Sequence, residues 1–176
     1  MKKRKPKNRV REVVSAALFL ALALLLPFVT GQIKDFSKMF CPMHLPVLLA
    51  GVVSGPFWGG LVGLCAPLLR SVLFGMPQMP TTLTMTAELF GYGVLSGFFY
   101  RLFPKKISFL LLSLILSFVG GRLLLTSAQL IVYGLSGKAF SFGGYFTANI
   151  LATLPGMALQ IIAVPALLPI FKKKRK

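Results

Sequence analysis

Residues 41–80 read CPMHLPVLLAGVVSGPFWGGLVGLCAPLLRSVLFGMPQMP, and this stretch decides the fold. It is a long apolar run interrupted by Pro and Gly. It holds the only histidine, His44, the only tryptophan, Trp58, and Arg70, one of two arginines set in apolar sequence. A soluble core has no use for so many backbone breakers among so many apolar residues. In a membrane protein such breaks are tolerated where the backbone is buried in protein or lines a cavity. The stretch predicts two membrane helices leading from one outer loop to another. A short one covers residues 44–54, Gly55-Pro56 makes a tight turn, and a longer one covers residues 57–74. Gly59, Gly60 and Gly63 on the longer helix let a neighbouring backbone come close.

Composition points the same way. The chain has 176 residues, 56% hydrophobic and 13% charged, with a mean hydropathy of +0.80. Those values exclude an ordinary soluble domain, and several stretches approach the ~20 apolar residues that a spanning helix needs. The formal net charge of +17 raises nucleic acid as a partner. The distribution argues against it: Lys and Arg gather at the chain ends and in one loop beside apolar runs, the positive-inside pattern.

Working outward, residues 13–29 form a first helix, rich in Ala and Leu. The basic stretch before it looks like the start of a secretory signal. Its apolar run is long for one and no small-x-small cleavage site follows, so it reads as a membrane helix. Ala17 and Ala21 stand four apart and make a flat stripe suited to close helix packing, a spacing also common by chance in an Ala-rich helix. Residues 30–40 and the Pro-rich residues 75–82 read as outer loops. A fourth helix covers residues 83–102 and carries Glu88 and Tyr92, followed by a basic loop at residues 103–106. A fifth covers residues 107–135, too long for one straight span, with Gly120-Gly121 offering a bend. Residues 136–144 form the last outer loop, and residues 145–171 a sixth helix broken by Pro155, Pro165 and Pro169.

The expected product is an all-α integral membrane protein with six transmembrane helices. A single membrane domain covers residues 13–171, between basic tails at residues 1–12 and 172–176. Six helices put both termini on one side. Lys and Arg number seven in the N-terminal tail, three in the 101–106 loop and five in the C-terminal tail, against Lys34, Lys38 and Lys138 on the other face. That asymmetry places both termini in the cytoplasm. Within the chain there is no internal repeat of the kind that builds an inverted-repeat transporter.

Charges inside apolar helices are costly and mark pathways or sites. Arg70, Glu88 and Arg122 are the three here. Pairing Glu88 with one arginine as a structural lock leaves one positive charge over, which suits a ligand carboxylate held in a bidentate geometry. His44, between Pro42 and Pro46, is either a helix-start residue bonded to nearby backbone or a ligand contact at the mouth of a cavity. Asn149, Gln129 and Gln160 are neutral polar residues that serve interhelical hydrogen bonds or touch ligand. Trp58 fits an interfacial aromatic, and Cys41 and Cys65 fit packing rather than metal binding. One histidine and three acids leave little for acid–base catalysis, and no metal motif is present. Residues 134–138, GLSGK, look faintly like a phosphate loop, but Ala139 stands where Ser or Thr belongs. The chain is not expected to be an enzyme or to hydrolyse ATP alone, and no cofactor is implied.

The pattern PMHLPVLLAGVVSGPFWGGLVGLCAPLLRSVLFGMP, followed by TAELFGYGVLSGFFYR, resembles the substrate-binding S components of energy-coupling factor (ECF) vitamin transporters. The resemblance covers residues 13–171, specific in the first four helices and looser in the last two. It implies a six-helix bundle in a prokaryotic plasma membrane. Ala17 and Ala21 match the family's Ala-x-x-x-Ala stripe, which docks on a transmembrane coupling subunit driven by two ATPases. It also implies capture of a vitamin between the outer loops and the outer halves of the last three helices, then toppling within the membrane. The motif set looks most like the pantothenate type. Folate, biotin and cobalamin-related precursors stay open, as do two other classes: a self-contained small transporter or channel, and a membrane-embedded enzyme. The residues expected to meet substrate are Arg70, Arg122, Glu88, His44, Asn149 and Gln129.

Overall fold

Six α-helices and one 3-10 turn make up the described part of the chain in the computed structural model, which covers residues 9–29, 42–104, 106–135 and 151–173. The helices are α1 (Arg9–Val29), α2 (His44–Ser54), α3 (Pro56–Phe74), α4 (Thr81–Leu102), α5 (Ile107–Leu135) and α6 (Leu154–Lys173). The 3-10 turn, Leu151–Thr153, leads into α6. The expected loops at residues 30–40 and 136–144, and Cys41, lie outside the described residues.

The punctuation predicted from Pro and Gly holds. α2 ends at Gly55, whose φ of 107° lies in a region L side chains avoid. Pro56 then opens α3, where its missing N–H costs nothing. α3 ends on Gly75, in the left-handed conformation, whose N–H bonds the Ser71 carbonyl.

One expectation changes, at the prolines of α6. α5 keeps its expected range and runs through Gly120-Gly121 as one 29-residue helix. Those glycines seat neighbours: a Cβ on Gly121 would lie 2.2 Å from the Tyr92 ring, and one on Gly120 2.3 Å from Leu95. α6 likewise continues through Pro165 and Pro169, and Pro155 sits in its first turn, where proline is tolerated.

Among the described residues, four helices are long and apolar enough to cross a membrane: α1, α3, α5 and α6. α2 is not, because its 11 residues rise only about 16 Å, roughly half of a ~30 Å hydrocarbon core. It is buried on nearly every side and packs against α1, α3, α4 and α6, as a helix apolar all round must. α4 fails on polarity alone. Thr84, Glu88, Tyr92, Ser96 and Tyr100, each four positions from the next, are all buried. Leu83, Phe90, Phe98 and Leu102 are exposed. α4 thus turns a polar stripe toward α2, α3 and α5 and an apolar one outward.

Close contact around α4 depends on glycine. A Cβ on Gly93 would stand 2.1 Å from the Gly59 carbonyl oxygen, and one on Gly59 2.4 Å from that of Gly93. Lipid supplies no hydrophobic drive between helices, so such backbone-to-backbone packing is the source of association.

One face gathers the start of α1, the α2–α3 turn and the end of α4. Trp58 Nε1 donates to Glu12 Oε2 at 3.1 Å, tying α3 to α1. Arg101 Nη2 donates to the Ser54 carbonyl at 3.1 Å, placing a cation on the C-terminus of α2. At the opposite end Thr82 Oγ1 donates to the Pro77 carbonyl at 2.6 Å and lies 3.2 Å from Ser71 Oγ, strapping α4 to the end of α3.

Candidate functional site

Glu88 sits 13 positions before Arg101, about 20 Å up α4 from the face that gathers the α2–α3 turn. Arg122 is 15 positions into α5 from Ile107, about 22 Å from the same face. The two therefore meet at one level, in the half of the bundle toward the Gly75–Pro80 end. Arg122 Nη1 lies 3.2 Å from Glu88 Oε1. The short α2 starts at this level and brings His44, whose Nε2 is 3.7 Å from Glu88 Oε2. Glu88 is thus flanked from α2 and α5 at once.

Two more residues fix the pair. Tyr92, one turn after Glu88 on the same face of α4, donates its hydroxyl to Glu88 Oε1 at 2.8 Å. Its ring lies 5.2 Å from that of His44 and edge-on to Phe118 at 5.5 Å. Arg122 Nη2 donates to Thr153 Oγ1, at the entry to α6. Three helices and the 3-10 turn that leads into α6 are joined through one carboxylate and one guanidinium.

The cluster is dry. His44 is 4% exposed and Glu88 5%. Among the described residues, His44 Nδ1 and Nε2 and Arg122 Nε are buried with no hydrogen-bond partner. Buried polar atoms are otherwise satisfied as a rule, so each such atom calls for an explanation. No group of three or more metal-ligating side chains occurs among the described residues.

Arg70 is elsewhere. Its Nη1 donates to the Leu24 carbonyl of α1 at 3.4 Å, and its guanidinium lies over the Phe28 ring at 5.4 Å. Phe28 also packs edge-on against Phe74 at 4.8 Å. No ion pair joins Arg70 to Glu88 among the described residues. Gln129 is half-buried on α5, two turns beyond Arg122. Asn149 lies outside the described residues. Gln160 is 1% exposed, within α6. Ala17 and Ala21 are exposed on α1, along a face that includes Val10, Val14, Leu18 and Leu25. Cys65 is a half-buried free thiol.

The sequence reading did not assign Tyr92, Thr153 or Glu12 to these contacts. Tyr92 carried a signal, since a donor four positions after a carboxylate on a helix faces it. Thr153 and Glu12 meet their partners across long sequence separations and carried none.

A family model described as ECF transporter, substrate-specific component, matches residues 11–169. The chain belongs to that family. No curated protein and no solved structure matches it. As an ECF substrate-specific component, it is a multi-pass membrane protein and a substrate-specific subunit of a transporter. Family membership implies association with an ECF coupling module and its ATPases, and a small-molecule substrate. The family's role is substrate binding for transport, which agrees with the scarcity of acid–base side chains. For such a component, the Glu88–Arg122–His44 cluster offers what binding requires: polar groups, excluded from water, on rigid helices rather than loops.

Proposed function

We propose that this ECF component captures a vitamin from outside the cell and delivers it to an ATP-driven importer, with pantothenate the first candidate. The observation that carries the reading is the buried Glu88–Arg122–His44 cluster, set in one half of the bundle where α2, α4, α5 and the turn into α6 meet. Intramembrane ionisable residues that face the bundle interior mark substrate pathways. The excess of Lys and Arg in the sequence at the chain ends and in residues 101–106 supports cytoplasmic termini; with that orientation in a prokaryotic plasma membrane the cluster belongs to the outer half. Pantothenate rests on the resemblance of residues 42–77 and 86–101 to that type of S component. Folate, biotin and cobalamin-related precursors are the alternative substrates. Ala17 and Ala21, exposed on α1, are the proposed contact with the coupling subunit.

The test is co-expression with the coupling subunit and two ATPases of the source cell, followed by purification and mass spectrometry of the retained small molecule. Recovery of the four-protein complex with pantothenate supports the reading in full. Another vitamin in the complex replaces the substrate alone. Failure to recover the partners removes the proposed delivery to a four-protein ATP-driven importer.

A further inference from the structure

We infer that the buried cluster recognises an uncharged part of the ligand, bearing hydroxyl or amide groups, with His44 and Arg122 Nε as its hydrogen-bond partners. The inference rests on the vitamin-capture reading and deepens it.

Charge bookkeeping comes first. From sequence, two intramembrane arginines against one glutamate leave a positive charge over for a ligand carboxylate. In the structure Arg70 is turned to α1, against Leu24 and Phe28. What remains at the site is Glu88 and Arg122, 3.2 Å apart and neutral as a pair. A ligand carboxylate inserted here would face Glu88 in a low-dielectric interior, where like charges repel strongly. An uncharged group meets no such barrier.

The unsatisfied atoms point to the same chemistry. Tyr92 and Thr153 are committed to the ion pair. His44 Nδ1, His44 Nε2 and Arg122 Nε have no hydrogen-bond partner among the described residues, and His44 is 4% exposed. A neutral imidazole presents one N–H and one lone pair, and Arg122 Nε presents an N–H. A hydroxyl accepts from the arginine and donates to the imidazole, and an amide carbonyl accepts from either. In pantothenate, the end carrying two hydroxyls and the amide fits this set, and the carboxylate end lies outside the cluster.

The experiment compares acid and neutral partners on the purified full chain in detergent. The probes are pantothenate against pantothenol, and biotin against biotinamide, titrated calorimetrically into wild type, His44→Leu and His44→Gln. Circular dichroism and size-exclusion profiles check the fold of each variant. The neutral member of the binding pair should bind within about threefold of the acid. His44→Leu should weaken both members by about tenfold or more, and His44→Gln, which keeps a donor and an acceptor, should recover part of the loss. A neutral member weaker than its acid by more than about tenfold overturns the inference and leaves vitamin capture standing. Unchanged binding in a folded His44→Leu variant overturns it too. If His44→Leu does not fold, the acid–neutral comparison on wild type still decides. Silence from all four probes overturns the inference and removes pantothenate and biotin as substrates; the small molecule recovered from the co-expressed complex then decides vitamin capture separately.

Discussion

Glu88 of α4 and Arg122 of α5 form a 3.2 Å ion pair in the dry interior of the bundle, and Tyr92 and Thr153 hold one partner each. Removing one member of such a pair leaves a buried charge without compensation. Replacing both does not. Glu88→Gln or Arg122→Gln alone should lower stability by about 3–5 kcal/mol. The double change Glu88→Gln with Arg122→Gln should cost much less than the sum. Unfolding in detergent, run as a double-mutant cycle, measures the coupling. Additive losses would mean the pair does not act as a unit.

Backbone contact around α4 gives a second expectation, with a built-in control. Gly93→Ala drives a methyl group against the Gly59 carbonyl, and both atoms belong to helix backbone, so neither can turn aside. The cost should be about 1–3 kcal/mol, the range for overpacking. Gly134 also lies within a helix, but a Cβ there meets nothing within 4 Å. Gly134→Ala should leave the melting temperature unchanged or slightly raised. An equal gain from both would show that helix propensity, which favours Ala over Gly, and not the α3–α4 contact sets the effect.

Arg70 and Arg122 are alike in sequence and differ in the fold. Arg70→Gln should loosen the α1–α3 contact at Leu24 and Phe28 and lower thermal stability, with pantothenate binding within about threefold of wild type. Arg122→Gln, in protein that remains folded, should weaken binding by about tenfold or more, because it removes a donor to Thr153 and the partner of Glu88. Calorimetric titration of both variants checks this. Stronger loss in Arg70→Gln would return Arg70 to the site.

Much of the fold could be read directly, and the reasons are local. Pro42, Gly55-Pro56 and Gly75 bound α2 and α3, and their backbone demands act without reference to any partner. The start of α5 and the end of α4 follow from the basic, Pro-containing residues 103–106 in the same way. Which arginine meets Glu88 could not be read. It depends on the rotation of three helices about their axes, and the apolar composition of each helix carries almost no phase. Gly120-Gly121 looked like a hinge because glycine both bends helices and admits neighbours. Tyr92 and Leu95 take up the space, so admission of neighbours is one use it has here.

Orientation has a direct chemical readout. A single cysteine at Gln78, in a variant with Cys41 and Cys65 replaced by Ser, should react with a membrane-impermeant maleimide on intact cells. One at Lys106 should react only after the membrane is permeabilised. The basis is the excess of Lys and Arg on the face that holds Arg101 and Lys106. Labelling of Lys106→Cys from outside would invert the topology and put the Glu88 cluster in the cytoplasmic half.

The proposed docking face of α1 can be tested without disturbing the proposed binding site, because Ala17 and Ala21 are exposed while the core side of α1 is carried by Ala16, Phe19 and Ala23. Small residues four apart let a partner helix approach until backbones nearly touch. Indole side chains at both positions hold that partner away by the thickness of a ring and point away from the core, so the bundle itself has no clash to relieve. Ala17→Trp with Ala21→Trp should therefore retain wild-type ligand binding and melting temperature in the isolated chain. Co-purification with the coupling subunit, and uptake of labelled vitamin in cells carrying the whole transporter, should both be lost. Trp at Leu18 is the informative neighbour: it is also exposed on α1 but off the small-residue line, and should reduce uptake far less. If the double variant imports at the wild-type rate, α1 does not contact the coupling subunit through this stripe. If it loses ligand binding together with uptake, the two alanines serve the bundle rather than the partner.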